Sequence, residues 1–468
     1  MLDMIERQTR LTVNQWKIIV AAILGDMLDF FDFYLIGYVL AFIVGPWNLT
    51  FGQSAMVLMS AGLGAVPGAF FWGWMADKVG RRKVFILTAL NFSIPTGLMA
   101  LTPDGHWVYL TVCRFLVGFG VSGLFAVDLP LVQEFVPTHK RGWVGGLVTS
   151  CLPLGNIMGA FLGAFLAPVF GWRGLFAIGL FPALITLLIR AWVPESPRWL
   201  IRKGRAAEAR QSIAWALMID PKEVDLPATI EEVPHTPWRE LFKYPRSMAV
   251  GCLTSLSQTS GIGLLMWATT LLVLILKIKP AEAAGMMIWV GVAGFGGRLL
   301  CSYANDAIGR RPAGFLVGMF GALFMALAGF YYNSFVGTVS LFWVFVMAQR
   351  FFGDGAYAVI GPYSAEIWPA GLRASGMGFG YGVGNLGKVI GPAGLALIVG
   401  STNIVKPEAN LDFIVPAMLF LAFWSALSGV AFLFGIETKG RSIEEIDTQL
   451  TEGAARRPAL AKARAAAE

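Results

Sequence analysis

Apolar residues in this chain come in long, nearly unbroken runs, each long enough to cross a bilayer core as a helix of roughly 20 residues. About twelve such runs can be placed, centred near residues 30, 65, 93, 122, 155, 182, 261, 294, 323, 352, 387 and 423. Short polar loops separate them, except between the sixth and seventh. There, residues 201–245 form a polar segment in which Arg202 to Leu217 has helical patterning, while Pro221, Pro227, Pro234 and Pro237 interrupt the remainder. The pattern predicts an all-α polytopic membrane protein with twelve transmembrane helices.

Composition agrees: 56% of residues are hydrophobic, 14% are charged and the mean hydropathy is +0.66, far from a soluble globular protein. The net charge of +7 does not point to nucleic acid, because the basic residues sit in short loops rather than on one patch. Lys78, Arg81, Arg82, Lys83, Lys140, Arg141, Arg310, Arg311 and Arg373 fall on alternate loops. The positive-inside rule places those loops, and both termini, in the cytoplasm. The polar first fifteen residues carry no cleavage-site pattern, so the first span is expected to act as an uncleaved signal anchor. Cys113, Cys151, Cys252 and Cys301 lie within spans at spacings that fit no zinc site, and read as packing residues. His106, His139 and His235 lie near span ends or in the central loop, which leaves proton transfer across the membrane to carboxylates. No catalytic residues, metal or cofactor are expected.

The chain also repeats itself. Asp77-Lys-Val-Gly-Arg81-Arg82 after the second span returns as Asp306-Ala-Ile-Gly-Arg310-Arg311 after the eighth. Arg114-Phe115 in the fourth span returns as Arg350-Phe351 in the tenth, and Glu134, Pro137 and Arg141 return at one offset as Glu366, Pro369 and Arg373. Two six-span halves in the same orientation, residues 1–200 and 246–440, are thus joined by a central loop of residues 201–245 and followed by a tail of residues 441–468. Parallel repeats around a substrate path suit a transporter.

In the eleventh run, GYGVGNLGKVIGP, Gly382, Gly387 and Lys388 match the glycine and lysine spacing of a nucleotide-binding loop. Such a loop needs a preceding strand and a Ser or Thr after the lysine. Here Val389 follows it and the segment is a span, so no nucleotide is expected. The glycines read instead as close-approach residues between helices, among 55 in the chain. Lys388 then becomes a cation inside the membrane, and a candidate substrate ligand.

Other charges join it. Asp26, Asp29 and Asp32 lie about 15 to 24 Å along the first span, within one helix face, so they can line one cavity and exchange protons as access alternates. Each also has a structural reading as a partner of a neighbouring helix. Asp128 is open between the two roles. Arg350 falls near the midplane, with Asp354 one turn on as a local partner, and Arg298 lies closer to the basic end of the eighth span. Lys388 has no acid within a turn of its own sequence. Phe30, Phe31, Tyr34, Trp267, Tyr357 and Tyr381 can supply aromatic walls, and Gln258 and Asn385 polar contacts.

The loop Gly73-Trp-Met-Ala-Asp77-Lys-Val-Gly-Arg81-Arg82 resembles the signature loop of the major facilitator superfamily, and essentially the whole chain follows that family's plan. Pro194-Glu195-Ser196-Pro197-Arg198-Trp199-Leu200 and Glu437-Thr438-Lys439-Gly440 are similar to sugar porter motifs after spans 6 and 12. The resemblance implies a cytoplasmic gate made of Asp77, Arg81, Arg82, Glu134, Arg141, Asp306, Arg310, Arg311, Glu366 and Arg373. Asp77 would pair there with guanidinium groups and free helix ends. Leu28-Asp29-Phe-Phe-Asp32 resembles the Asp-x-x-Asp element of aromatic acid:proton symporters. In a different alignment, Asp32 matches the coupling aspartate of proton-driven sugar porters, whose arginine partner corresponds to Arg114.

For the substrate, Ser257-Gln258-Thr259-Ser260-Gly261-Ile262-Gly263 is similar to the sugar-binding motif of span 7. However, Ser257 replaces a glutamine, Gly263 an asparagine, and the span 5 glutamine is not evident between Thr149 and Asn156. Leu131 to Pro137 and Tyr363 to Gly376 look like the metabolite:proton symporters of aromatic and pyridine carboxylates. The expectation is a monomeric, proton-coupled importer of a small organic anion in a bacterial inner membrane, with a sugar or polyol symporter as the alternative. A membrane sensor that binds the same ligand is a third reading, disfavoured because the chain has no sizeable output domain.

Overall fold

The helices begin where the sequence supplies partners for their free N–H groups. At the head of the first long helix the Thr12 hydroxyl accepts from the Gln15 N–H at 3.1 Å, and the Gln15 side-chain oxygen accepts from the Thr12 N–H at 2.7 Å. Thr50 and Gln53 repeat this reciprocal cap at the second, at 3.1 and 2.9 Å. The computed structural model describes residues 3–224, 238–369, 372–406, 411–441 and 445–450, apart from the side chains of residues 3, 77, 124–130, 138, 142, 181–192, 238 and 374. Asp77 and Asp128 are thus outside the described side chains.

In chain order the helices are α1 (Asp3–Glu6), α2 (Val13–Ile43), α3 (Phe51–Val79), α4 (Arg81–Met99), α5 (Trp107–Glu134), α6 (Thr138–Ser150), α7 (Leu152–Phe165), α8 (Ala167–Trp192), α9 (Pro197–Arg202) and α10 (Ala206–Leu217). They continue as α11 (Pro245–Gly261), α12 (Gly263–Leu276), α13 (Pro280–Ile308), α14 (Arg310–Phe330), α15 (Leu341–Glu366), α16 (Arg373–Asn385), α17 (Gly387–Val399) and α18 (Ile414–Leu433). A small hairpin, β1 (Phe335–Val336) with β2 (Val339–Ser340), precedes α15. Counting α6–α7, α11–α12 and α16–α17 as broken single passages, the described residues make twelve, as the hydrophobic runs predict. Among the described residues, seven helical stretches are long and apolar enough on their own to cross a membrane. Helices α2 and α15 are not among them; these carry Asp26, Asp29 and Asp32, and Arg350 and Asp354.

The chain forms two compact units. Unit 1 comprises Met1–Glu231, Leu264–Phe295 and Pro392–Phe413, and unit 2 comprises Glu232–Gly263, Gly296–Gly391 and Ile414–Glu468. Within unit 1, a Cβ at Gly64 would run into the Phe115 carbonyl oxygen and one at Gly118 into that of Ala61, so α3 and α5 touch backbone to backbone. Unit 2 repeats the contact: a Cβ at Gly297 on α13 would strike the Phe351 carbonyl oxygen on α15. Both contacts sit beside the residue that follows a buried arginine, Arg114 or Arg350, and so fix where each guanidinium can reach. Unit 1 also holds a main-chain clasp at the head of α3. The N–H groups of Phe51 and Gly52 donate to the carbonyls of Asn403 and Ser401 at 2.9 and 2.7 Å, and the Val405 N–H donates to Leu49 at 2.9 Å. Two of the helix's unpaired N-terminal donors are satisfied this way.

The basic motifs build the same clamp in each unit. In unit 1, Gly80 turns the chain at φ +102°, a conformation open to glycine, and α4 starts at Arg81. Glu195 accepts from the N–H groups of Arg82 and Ser196 at 3.0 and 2.9 Å, while Glu134 pairs with the Arg81 guanidinium and accepts from the Ser196 hydroxyl. In unit 2, Gly309 at φ +99° precedes α14. Glu437 accepts from the N–H groups of Arg310 and Arg311 at 3.0 and 3.1 Å, and Glu366 pairs with Arg310 at 3.2 Å and accepts from the Thr438 hydroxyl. A carboxylate at a helix N-terminus is stabilised by both the donors and the dipole. Arg310 also contacts Asp306 at 3.0 Å. Arg141 and Arg373 donate to the carbonyls of Gln133 and Ala365, at 2.9 and 3.0 Å, tying each helix turn to the end of the preceding passage.

This packing can be tested in two ways. Gly297→Ala should cost about 1–3 kcal/mol through overpacking and lower the melting temperature, whereas Gly296→Ala should leave it unchanged, because a Cβ there meets nothing within 4 Å. The second test concerns pH. Burial pushes the Glu437 carboxyl up, but backbone N–H donors from Lys439, Arg311, Arg310 and Thr438 outweigh it and hold the group below its ordinary 4.5. With the folded value the lower one, the clamp's contribution is complete above pH 4.5 and is lost as pH falls through the folded value. The melting-temperature gap between wild type and Glu437→Gln should be present at neutral pH and shrink on acidification below that point.

Candidate functional site

The buried charges of unit 1 gather around Arg114. Its side chain is 0% exposed, a position that a guanidinium can hold only with partners on several of its N–H groups. Arg114 Nη1 donates to the Asp32 carbonyl at 3.0 Å and to Asp32 Oδ2 at 3.2 Å, and Nη2 donates to the Phe33 carbonyl at 3.1 Å. The Thr96 hydroxyl on α4 lies 3.0 Å from Asp32 Oδ1. Thus α2, α4 and α5 meet at one carboxylate. Asp29, also buried, is close enough for its charge to act on Arg114, and Asp26 is buried one turn earlier on α2. The steps of three that place these aspartates on one face therefore bring two of them to the same cation. Protonating Asp32 would remove the charge that holds Nη1 and leave Arg114 on backbone carbonyls, which is the form a proton-sensitive switch needs.

The aromatic candidates of unit 1 lie among ring and helix contacts. Phe31 is fully buried beside Gly159 of α7 and Gly179 of α8, and Tyr34 makes edge contacts with Phe30 and Phe33 at centroid distances of 5.7 and 5.1 Å. Trp267 stands apart from the other candidates of the second sequence half. It belongs to unit 1, is 0% exposed and stacks on Phe51 with centroids 5.5 Å apart, next to the main-chain clasp.

In unit 2 the remaining candidates lie on four elements. On α15, Arg350 Nε approaches Asp354 Oδ2 at 2.7 Å, with both residues buried. The Gln258 amide on α11 donates to the Gly353 carbonyl at 2.6 Å, in the turn between those two charges. Arg298 of α13 lies over the Tyr357 ring at 5.5 Å and is buried. Asn385 is buried at the end of α16, and Lys388 is half-buried in the first turn of α17, immediately after the helix break at Leu386. Gly387 makes that position possible: a Cβ there would sit 2.6 Å from the Ser260 N and 2.7 Å from the Leu256 carbonyl oxygen of α11. Tyr381 is exposed on α16.

Two features escaped the sequence. The Tyr38 hydroxyl donates to Asn156 Oδ1 at 2.8 Å, a fully buried polar pair joining α2 and α7. A tyrosine in an apolar run and an asparagine after a glycine carry no signal until the helices are placed. The breaks at Cys151, Ile262 and Leu386 were also unmarked by any change in hydropathy, although glycine or proline flanks each one.

Comparison with known proteins agrees with this arrangement. Residues 17–450 match the family described as sugar (and other) transporter. The chain is 30% identical to the niacin transporter NiaP of Acinetobacter baylyi, over 95% of this chain and 100% of that one. It is 28% identical to the cis,cis-muconate transport protein of the same organism, over 87% and 92%. Among solved structures, the partially occluded, inward-open xylose transporter XylE from E. coli superposes with a TM-score of 0.71 at 20% identity, covering 92% of this chain and 100% of that one. Twelve helical passages, repeated clamps and a family match over nearly the full length lead to one conclusion: the chain belongs to the sugar (and other) transporter family of the major facilitator superfamily, and is an integral membrane secondary transporter rather than an enzyme.

Proposed function

We propose that the protein imports a small organic anion, an aromatic or other monocarboxylate, together with protons, as a monomer in a bacterial inner membrane with both termini in the cytoplasm. One observation carries the anion. Leaving aside the clamp residues and Arg246 at its basic end, the passages of unit 2 hold three cations, Arg298, Arg350 and Lys388, and one carboxylate, Asp354. In a low dielectric such an excess of cations, however each is hydrogen-bonded, attracts a carboxylate ligand. Niacin and muconate, named for the two curated relatives, are carboxylic acids. Unit 1 has the opposite excess, with Asp26, Asp29 and Asp32 against Arg114, which suits proton binding.

The alternative, a sugar or polyol symporter, draws on Gln258 and Asn385 and on the fold shared with the xylose transporter. The Gln258 amide N–H is engaged by Gly353, which leaves its oxygen for a hydroxyl. A thermal-shift screen of the purified protein against carboxylates and sugars separates the two, since a ligand stabilises by mass action. Stabilisation by sugars alone would overturn the anion reading.

Two substitutions test the roles. Asp32→Asn should abolish accumulation against a gradient in proteoliposomes while counterflow of labelled substrate partly survives; undiminished accumulation in both Asp29→Asn and Asp32→Asn would remove them from the proton path. Lys388→Gln should lose roughly 2 to 5 kcal/mol of carboxylate binding by calorimetry, the scale for removing one partner of a desolvated charge pair. Lys388→Arg should recover part of it, a planar fork replacing a compact ammonium.

A further inference from the structure

The two buried aspartate–arginine pairs are built differently, and the difference assigns Asp354 a role. Asp32 receives hydrogen bonds from Arg114 and lies within hydrogen-bond reach of the Thr96 hydroxyl. Asp354 is 1% exposed, and neither carboxylate oxygen receives a hydrogen bond from any described donor. Its charge rests on the 2.7 Å approach of the Arg350 guanidinium.

Among the described residues, the groups around it give its carboxylate no hydrogen bond. Helix α13 brings Arg298, which lies over Tyr357, and Cys301, whose Sγ abuts Gly355. Helix α14 brings Phe320 and Phe324, which stack on Phe352, and has no ionisable side chain after Arg311. Helix α11 brings Cys252 and the neutral Gln258, whose amide donates to Gly353; α16 brings Tyr381; β2 brings no ionisable group.

We infer that Asp354 is a proton-binding site obligatorily linked to the substrate anion, through exchange of partners at Arg350. This rests on the organic-anion reading above and extends it. When the site is empty, Arg350 and Asp354 neutralise each other. An incoming carboxylate takes the guanidinium, and Asp354, left in low dielectric without another donor, takes a proton from water to become the neutral acid. One O–H bond forms at Asp354 as one bond to hydrogen breaks in the hydronium ion or buffer acid that supplies the proton through water, one ion contact is replaced by another, and no electron moves. The anion adds one negative charge and the proton one positive, so the site has the same net charge loaded as empty. One proton thus enters with each anion at unit 2, independently of Asp29 and Asp32.

Calorimetry with benzoate on the purified full-length protein, run in buffers of different ionisation enthalpy, counts the protons taken up. Asp29→Asn/Asp32→Asn should take up close to one proton per benzoate near neutral pH, with affinity weakening about tenfold per pH unit as pH rises. Asp354→Asn in that background should bind benzoate with no proton uptake and no pH dependence. Should that variant not fold, Arg350→Gln/Asp354→Asn leaves neither charge alone in the membrane, and it should lose both the proton uptake and at least tenfold in affinity. Benzoate binding with undiminished proton uptake after loss of Asp354, benzoate binding without proton uptake before it, or undiminished benzoate affinity in the double variant would each overturn the inference while leaving the anion reading in place. A wild type that binds neither benzoate nor nicotinate would overturn both.

Discussion

A guanidinium with no exposed surface is tenable only where the surrounding backbone and a carboxylate are already in position. Arg114 meets that condition by drawing on the side chain and two carbonyls of α2 at once. The constraint propagates outward. To deliver those atoms, α5 must lie against α3 at backbone contact, which demands glycine at positions 64 and 118, and Asp32 must face both α4 and α5. Removing one partner of such a pair is more damaging than replacing both, unless the replacement, as asparagine for Asp32, keeps an oxygen that can accept from Arg114.

The second unit reuses this scaffold with other chemistry on it. Gly297 against Phe351 mirrors Gly64 against Phe115, and the arginine preceding each phenylalanine is retained. Arg114, however, reaches across to another helix, whereas Arg350 is held by the carboxylate one turn along its own helix. A cross-helix pair reports on how two helices sit, while a pair within one helix is indifferent to helix motion and responds chiefly to what arrives beside it. The same fold thus carries one arginine pair that spans two helices and one that lies within a single helix.

Much of this was legible in the sequence. Runs of apolar residues gave the passages because a bilayer enforces length, and the returned Gly-Arg-Arg motifs located the clamps because an end cap needs particular residues at particular spacing. The glutamates that cap α4 and α14 could be recognised as motif residues, but not as helix caps. Glu195 lies 113 positions from the Arg82 N–H it accepts from, and Glu437 lies 127 positions from that of Arg310. Tyr38 with Asn156, and Gln258 with Gly353, were invisible for the same reason: a hydrogen bond between distant helices leaves no periodicity. Among the passages that fall short of a membrane-spanning composition, α2 and α15 are the two that carry the buried acid and arginine candidates in mid-helix.

That shortfall bears on how the protein is made. Arg114 lies 82 residues beyond Asp32, and at about 5–20 residues per second of synthesis roughly 4 to 16 seconds separate the emergence of the acid from that of its counter-ion. During that interval α2 carries three aspartates with no cation in its apolar stretch, each of them costly in lipid. That cost falls once α5 brings Arg114 against Asp32. The ion pair therefore governs the order in which the bundle is assembled, and a variant at Arg114 would be expected to fail in biogenesis as well as in transport.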